Sequence, residues 1–137
     1  MKKITTILLV IVALCTMIIP VHASENEVMP RFNNTLQVTT MFNIESSGKA
    51  VATYSFFGYD GITTRVVISS KIEKKFLWWW NDVDGAEWID EIEGSVYAGE
   101  HTHQLTKSGT YRLVYEYTVY GTGGDPDVIS NSIEKEY

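Results

Sequence analysis

Residues 110–120 read TYRLVYEYTVY. Tyr111, Leu113, Tyr115, Tyr117 and Val119 fall at every second position, with Arg112, Val114, Glu116, Thr118 and Tyr120 between them. Successive side chains of a β-strand point to opposite faces, so this period of two gives one face a continuous aromatic and aliphatic stripe. A helix would scatter the same residues around its axis. Gly109 before the stretch and Gly121 after it supply the breaks that strands require at their ends.

Working outward, the same pattern recurs. Short stretches rich in Thr, Val, Ile and Tyr are separated by Gly, Asn, Asp and Ser, and no stretch sustains a period of 3.6 residues. The alternation predicts strands at 35–45, 49–57, 62–75, 86–93, 95–105, 110–120 and 127–137. Phe76–Trp80 and an Asn81-Asp82-Val83-Asp84-Gly85 loop separate the third from the fourth. Seven strands in roughly 110 residues match an antiparallel immunoglobulin-like β-sandwich, with a β-barrel as the alternative architecture. One local signal favours the sandwich. Tyr111 stands two residues before Leu113, where immunoglobulin domains place a corner tyrosine two residues before their second core cysteine. An ordinary strand aromatic is the other reading of Tyr111.

The N-terminus carries a different signal. Lys2 and Lys3 precede an apolar run from Ile4 to Ile19, and Val21 and Ala23 place small residues before Ser24. A basic start, an apolar stretch and small residues at the cut make a secretory signal peptide, expected to span 1–23 and to be removed. Cys15, the only cysteine, follows Leu14 in mid-run, which argues against lipidation. Cleavage would leave 114 residues, one domain's worth, with no disulfide. Residues 24–34, SENEVMPRFNN, are polar, contain Pro30 and are expected as a flexible leader to a domain at 35–137. The expected product is a released, extracellular protein.

The intact chain has a formal charge of −6, and loss of Lys2 and Lys3 leaves 17 acidic against nine basic residues, a charge of −8. Such a balance repels phosphate backbones and anionic headgroups, so neither nucleic acid nor, once the signal is gone, a membrane is expected as partner.

Several short stretches occur together in order: Ser47-Gly48-Lys49-Ala50, Gly58-Tyr59-Asp60-Gly61, Lys74-Lys75, Trp88, Gly109-Thr110-Tyr111-Arg112 and Val119-Tyr120-Gly121. In this order they resemble a family of small secreted β-rich proteins of Firmicutes, a domain-of-unknown-function family, over most of residues 31–137. The resemblance implies an exported β-rich domain and carries no functional residues. The Trp78-Trp79-Trp80 run and the acidic fourth strand depart from that pattern.

The tryptophans are the most unusual feature. Trp78, Trp79, Trp80 and Trp88 lie within 11 residues. Three consecutive strand residues cannot share one face, so part of the run is expected at the surface, where indole rings suit stacking on a sugar or anchoring a protein contact. Core filling is the bland alternative. Asp82 and Asp84 before Gly85 resemble the first half of a calcium loop, but Asp-Gly is equally a routine turn. His101 and His103 flank Thr102 and point the same way in a strand, as weak metal candidates or as solvent-facing side chains. Asp90, Glu91 and Glu93 raise a glycosidase pair, for which so small a domain offers little cleft. Apart from His22, only His101 and His103 could serve as bases, and no Gly-x-Ser-x-Gly is present. Asn33-Asn34-Thr35 matches a glycosylation acceptor that a bacterial exported protein would leave unused.

These features lead to the expectation of a non-enzymatic secreted domain, without cofactor, binding a cell-surface or environmental ligand, a glycan or a protein, through Trp78, Trp79, Trp80 and Trp88. A secreted antagonist or enzyme inhibitor is the alternative.

Overall fold

In the computed structural model, which describes residues 31–137, the alternation of the 110–120 stretch becomes an inner strand of a four-stranded sheet, with Tyr111, Leu113, Tyr117 and Val119 buried. The expected signal peptide, and residues 24–30 of the expected leader, lie outside the described residues. The strands are β1 (Thr35–Ile44), β2 (Lys49–Gly58), β3 (Thr63–Phe76), β4 (Trp79–Glu93), β5 (Val96–Gln104), β6 (Thr110–Gly121) and β7 (Asp127–Glu136). No helix occurs among the described residues.

Every pairing is antiparallel, and the strands form two sheets, β1-β2-β5 and β4-β3-β6-β7. No pairing joins one sheet to the other among the described residues, so the architecture is a two-sheet sandwich rather than a closed barrel. Each sheet turns its apolar face inward. Phe42, Ala52, Tyr54 and Phe56 from the smaller sheet meet Val66, Ile68, Leu113, Tyr117 and Val119 from the larger one. Each large side chain so buried contributes roughly 1.5–3 kcal/mol.

Two tyrosines bridge the sheets. The Tyr54 hydroxyl donates to Ser70 Oγ at 2.8 Å, and the Tyr117 hydroxyl lies 2.8 Å from Thr40 Oγ1. Their rings fill the core while the hydroxyls stay satisfied, the condition for burying a phenol. Burial pushes Tyr54 up to about 12 and raises Tyr117 as well.

The expected leader needs a correction at its end. Asn34 is fully buried. Its backbone N–H and that of Asn33 donate to the Asp127 carboxylate at 2.7 and 2.8 Å, and Thr35 Oγ1 adds a bond at 2.9 Å. Asn34 Oδ1 accepts the Gly123 N–H at 3.1 Å. A Cβ at Gly121 would collide with Asn34 Oδ1 and the Ile62 carbonyl, so only glycine fits there. Asn33 and Asn34 therefore belong to the sandwich.

A second correction concerns the fourth strand, which begins at Trp79 rather than Ala86. Asn81 and Asp82, expected in a loop, pair with Lys74 and Glu73. The turn-like chemistry of Asp84-Gly85 is absorbed as a bulge. Between the pairs Glu73↔Asp82 and Lys71↔Glu87, Val83–Ala86 stand opposite Ile72 alone, with Gly85 at φ 73°.

Candidate functional site: an aromatic hairpin tip

With β4 starting early, the turn of the β3–β4 hairpin falls at Leu77-Trp78, closed by the pair Phe76↔Trp79. Two-residue hairpin turns require positive φ at one or both central positions, normally filled by Gly or Asn. Here Leu77 takes φ 57°, the one non-glycine residue with positive φ among those described. A branched side chain in that region costs roughly 1–2 kcal/mol. Strain of this kind is retained where the surrounding structure, or a function, holds it in place.

The tip is apolar and bare. Phe76 is 57% exposed, Leu77 62%, Trp78 77% and Trp79 45%. Phe76 and Trp79, a cross-strand pair, lie 5.9 Å apart at 35°. Trp78 meets Trp79 edge-on, centroids 5.1 Å apart and planes at 78°. Four consecutive large apolar side chains at the end of a hairpin form a contiguous patch rather than scattered single exposures, which is the pattern of an interaction site.

Trp80 belongs to the hairpin stem, on the opposite face from Trp79. It pairs with Lys75, whose ammonium sits 5.6 Å from the ring centroid, and the Arg112 guanidinium lies 4.3 Å from the same ring. Arg112 Nε donates to Glu73 at 2.5 Å, Glu73 also binds Lys71 at 3.0 Å, and Lys71 reaches Asp82 at 2.6 Å. Asp82 and Glu73 hold the Lys71 ammonium above its ordinary range, and Lys71 holds the Asp82 carboxyl below its own. This chain of charges spans β4, β3 and β6 and braces the stem.

At the root of the hairpin opens a cleft of about 560 Å³. Phe76, Val83, Leu105 and Tyr111 supply its apolar wall, and Lys74, Lys107, His103 and Asp84 its polar rim. The Tyr111 hydroxyl donates to the Lys107 carbonyl at 2.5 Å, fixing the β5–β6 loop that forms one side.

Trp88 is not part of this tip. It is half-buried between the sheets, stacked on His101 with centroids 5.0 Å apart and planes 3° from parallel. The tryptophans expected as one cluster thus divide: Trp78 and Trp79 at the tip, Trp80 on the stem, Trp88 in the interior seam.

His101 and His103 share a face, as the period of two requires, but that face looks between the sheets rather than to solvent, and both rings are half-buried. His101 Nε2 lies 2.6 Å from Asp90 Oδ2. Asp90 and Glu91 point to opposite faces of β4, Glu91 pairing with Arg65, so these two carboxylates do not flank a common substrate. Asp82 is bound to Lys71 at 2.6 Å, while Asp84 and His103 both line the cleft at the hairpin root. Among the described residues no three His, Cys, Asp or Glu side chains converge as a metal site.

Sequence reasoning missed Phe76 and Leu77 as members of the site, and Arg112, Glu73 and Lys71 as its brace. The available signal was the unbroken run of five apolar residues from Phe76 to Trp80 directly after Lys74-Lys75. No family model, curated protein or solved structure matches the chain.

Proposed function

We propose that this chain is a secreted, non-enzymatic interaction domain that engages a cell-surface ligand with the tip of its β3–β4 hairpin. One observation carries the reading: Phe76, Leu77, Trp78 and Trp79 are all exposed at a turn that tolerates a strained leucine. A soluble domain with no use for that patch would be expected to bury it, or to hold the turn with Gly or Asn. The braced stem supports the same reading, since a contact element gains from being held rigid before it binds.

The scaffold reading is immunoglobulin-like. The strand order β1-β2-β5 and β4-β3-β6-β7, together with the Tyr111 hydroxyl bonded back to Lys107, supports it. Such scaffolds commonly present ligands with the loops at one end of the sandwich, an argument by analogy of fold alone.

Co-sedimentation with insoluble envelope material, peptidoglycan and mucin tests the reading. Trp78→Ala with Trp79→Ala should weaken binding by roughly 30-fold or more, the usual scale of an aromatic hot spot. Because both rings are exposed, thermal unfolding should hardly move. Undiminished binding by a folded double variant would remove the tip from the account.

A further inference from the structure

The tip's shape narrows what it can bind. A sugar needs an open ring face with hydrogen-bonding groups converging beside it. Trp78 and Trp79 stand at 78° to one another and share no flat platform, while Trp80 carries Arg112 against its ring. Phe76, Leu77, Trp78 and Trp79 offer no side-chain acceptor and only indole N–H donors. The tip is a hairpin end rather than a groove, so it covers its apolar surface by inserting into another medium or into a partner's groove.

The charges behind it indicate which medium. Of the nine Lys and Arg in residues 31–137, five lie on the hairpin stem or beside its root: Lys71, Lys74, Lys75, Lys107 and Arg112. Lys71 and Arg112 are engaged with Glu73 and Asp82. Lys74, Lys75 and Lys107 make no salt bridge among the described residues, and Asp84 is the one carboxylate at the cleft rim left unbridged beside them. The acidic total of the chain is an average over distance. Glu91 and Glu93 pair with Val67 and Arg65, eight to ten residues back along β3 from Lys75. At about 3.3 Å per residue that is roughly 25–35 Å. The screening length at physiological salt is about 8 Å, so a surface touching the tip senses Lys74 and Lys75 far more than Glu91 and Glu93. Glu87, opposite Lys71, and Glu134 and Glu136, opposite Arg112 and Thr110, stand nearer and offset part of that charge.

Resting on the tip reading above, we propose that the β3–β4 hairpin is an interfacial anchor for an anionic lipid surface. Phe76, Leu77, Trp78 and Trp79 enter the headgroup–acyl boundary, and Lys74, Lys75 and Lys107 meet lipid phosphates. Depth agrees with this assignment. Lys75 and Lys74 stand one and two residues behind Phe76, roughly 3–7 Å along the strand, within the 5–10 Å to which interfacial elements bury. Tryptophan is the side chain that favours that boundary.

All four tryptophans lie between residues 78 and 88, so their emission reports the hairpin and its neighbourhood whatever the apolar N-terminal run does. The full chain is mixed with vesicles of phosphatidylcholine alone, or with phosphatidylglycerol added, carrying bromine on the upper acyl carbons. On the anionic vesicles the emission should shift to the blue and be quenched. Trp78→Ala with Trp79→Ala should leave the emission of Trp80 and Trp88 unquenched. Reversal of Lys74, Lys75 and Lys107 to Glu should weaken the quenching at least roughly tenfold. Wild-type emission that stays unquenched on anionic vesicles overturns the anchor. If envelope binding still depends on Trp78 and Trp79, the tip reading survives with a protein groove as occupant. If it does not, the tip reading falls too. Equal quenching on neutral and anionic vesicles overturns the part assigned to the lysines.

Discussion

Trp88 and His101 stack face to face across the seam between β4 and β5, 3° from parallel. His101 in turn lies 2.6 Å from Asp90, so one imidazole serves both an indole and a half-buried carboxylate. His101→Ala removes both partners at once. It should lower stability by about 2 kcal/mol in urea unfolding and shift the Trp88 emission to the red. Binding by the hairpin tip should be unchanged. A stability loss under about 0.5 kcal/mol would mean the stack is incidental.

Leu77→Gly should separate strain from binding. Glycine accepts φ 57° without the leucine's penalty but loses more freedom on folding, so a net gain of about 0.5 kcal/mol is expected. The same variant removes one exposed apolar side chain of the tip, so binding should fall while the melting temperature rises. A variant that melts lower would show that Leu77 packs in a way that outweighs its backbone.

Asp127 ties the start of the sandwich to its last hairpin. Burial works to raise its pKa, but the bonds from the Asn33 and Asn34 N–H groups and from Thr35 outweigh it, and the carboxyl sits below its usual range. A depressed carboxylate stabilises the fold above its unfolded value near 4, and that contribution is lost as the pH falls through the lower folded value. Asp127→Asn places an amide among donors and should cost about 3 kcal/mol at neutral pH. The gap between wild type and variant should close as unfolding is followed below about pH 4. A constant gap across that range would contradict the assignment.

How much of this was legible beforehand depends on the reach of each signal. The β6 stripe was plain because period and burial coincide in it: Tyr111, Leu113, Tyr117 and Val119 are all buried. The turn at Leu77-Trp78 was hidden because neither residue has turn chemistry, whereas Asp84-Gly85 has it and lies within a strand. Pairing with β3 overrode the local preference. The shared face of His101 and His103 followed from the period of two, but which side it faced depended on the partner sheet. The Asn34–Asp127 bond joins residues 93 apart in sequence, and no local pattern announces it. At the tip, the apolar run was visible, but its division among tip, stem and interior was set by the register of β4.

Tyr54 gives an alkaline counterpart to Asp127. Burial holds its phenol neutral up to about 12. A group whose folded pKa is raised stabilises the fold fully below its unfolded value near 10, and the contribution disappears as the pH climbs through 12. Tyr54→Phe should cost about 1 kcal/mol at neutral pH by orphaning Ser70, yet lose less stability than wild type between pH 10 and 12. Spectrophotometric titration of tyrosinate alongside unfolding curves would check both halves.

The central claim, that the hairpin tip makes the contact, is tested most directly by radical footprinting of the chain free and bound to envelope material. Phe76, Leu77, Trp78 and Trp79 should label heavily in the free protein and become protected on binding, while exposed Ile89 and Val128 on the outer face of the larger sheet should label equally in both states. Protection at Ile89 and Val128 with Trp78 and Trp79 still labelled would place the contact on the sheet face and contradict the account.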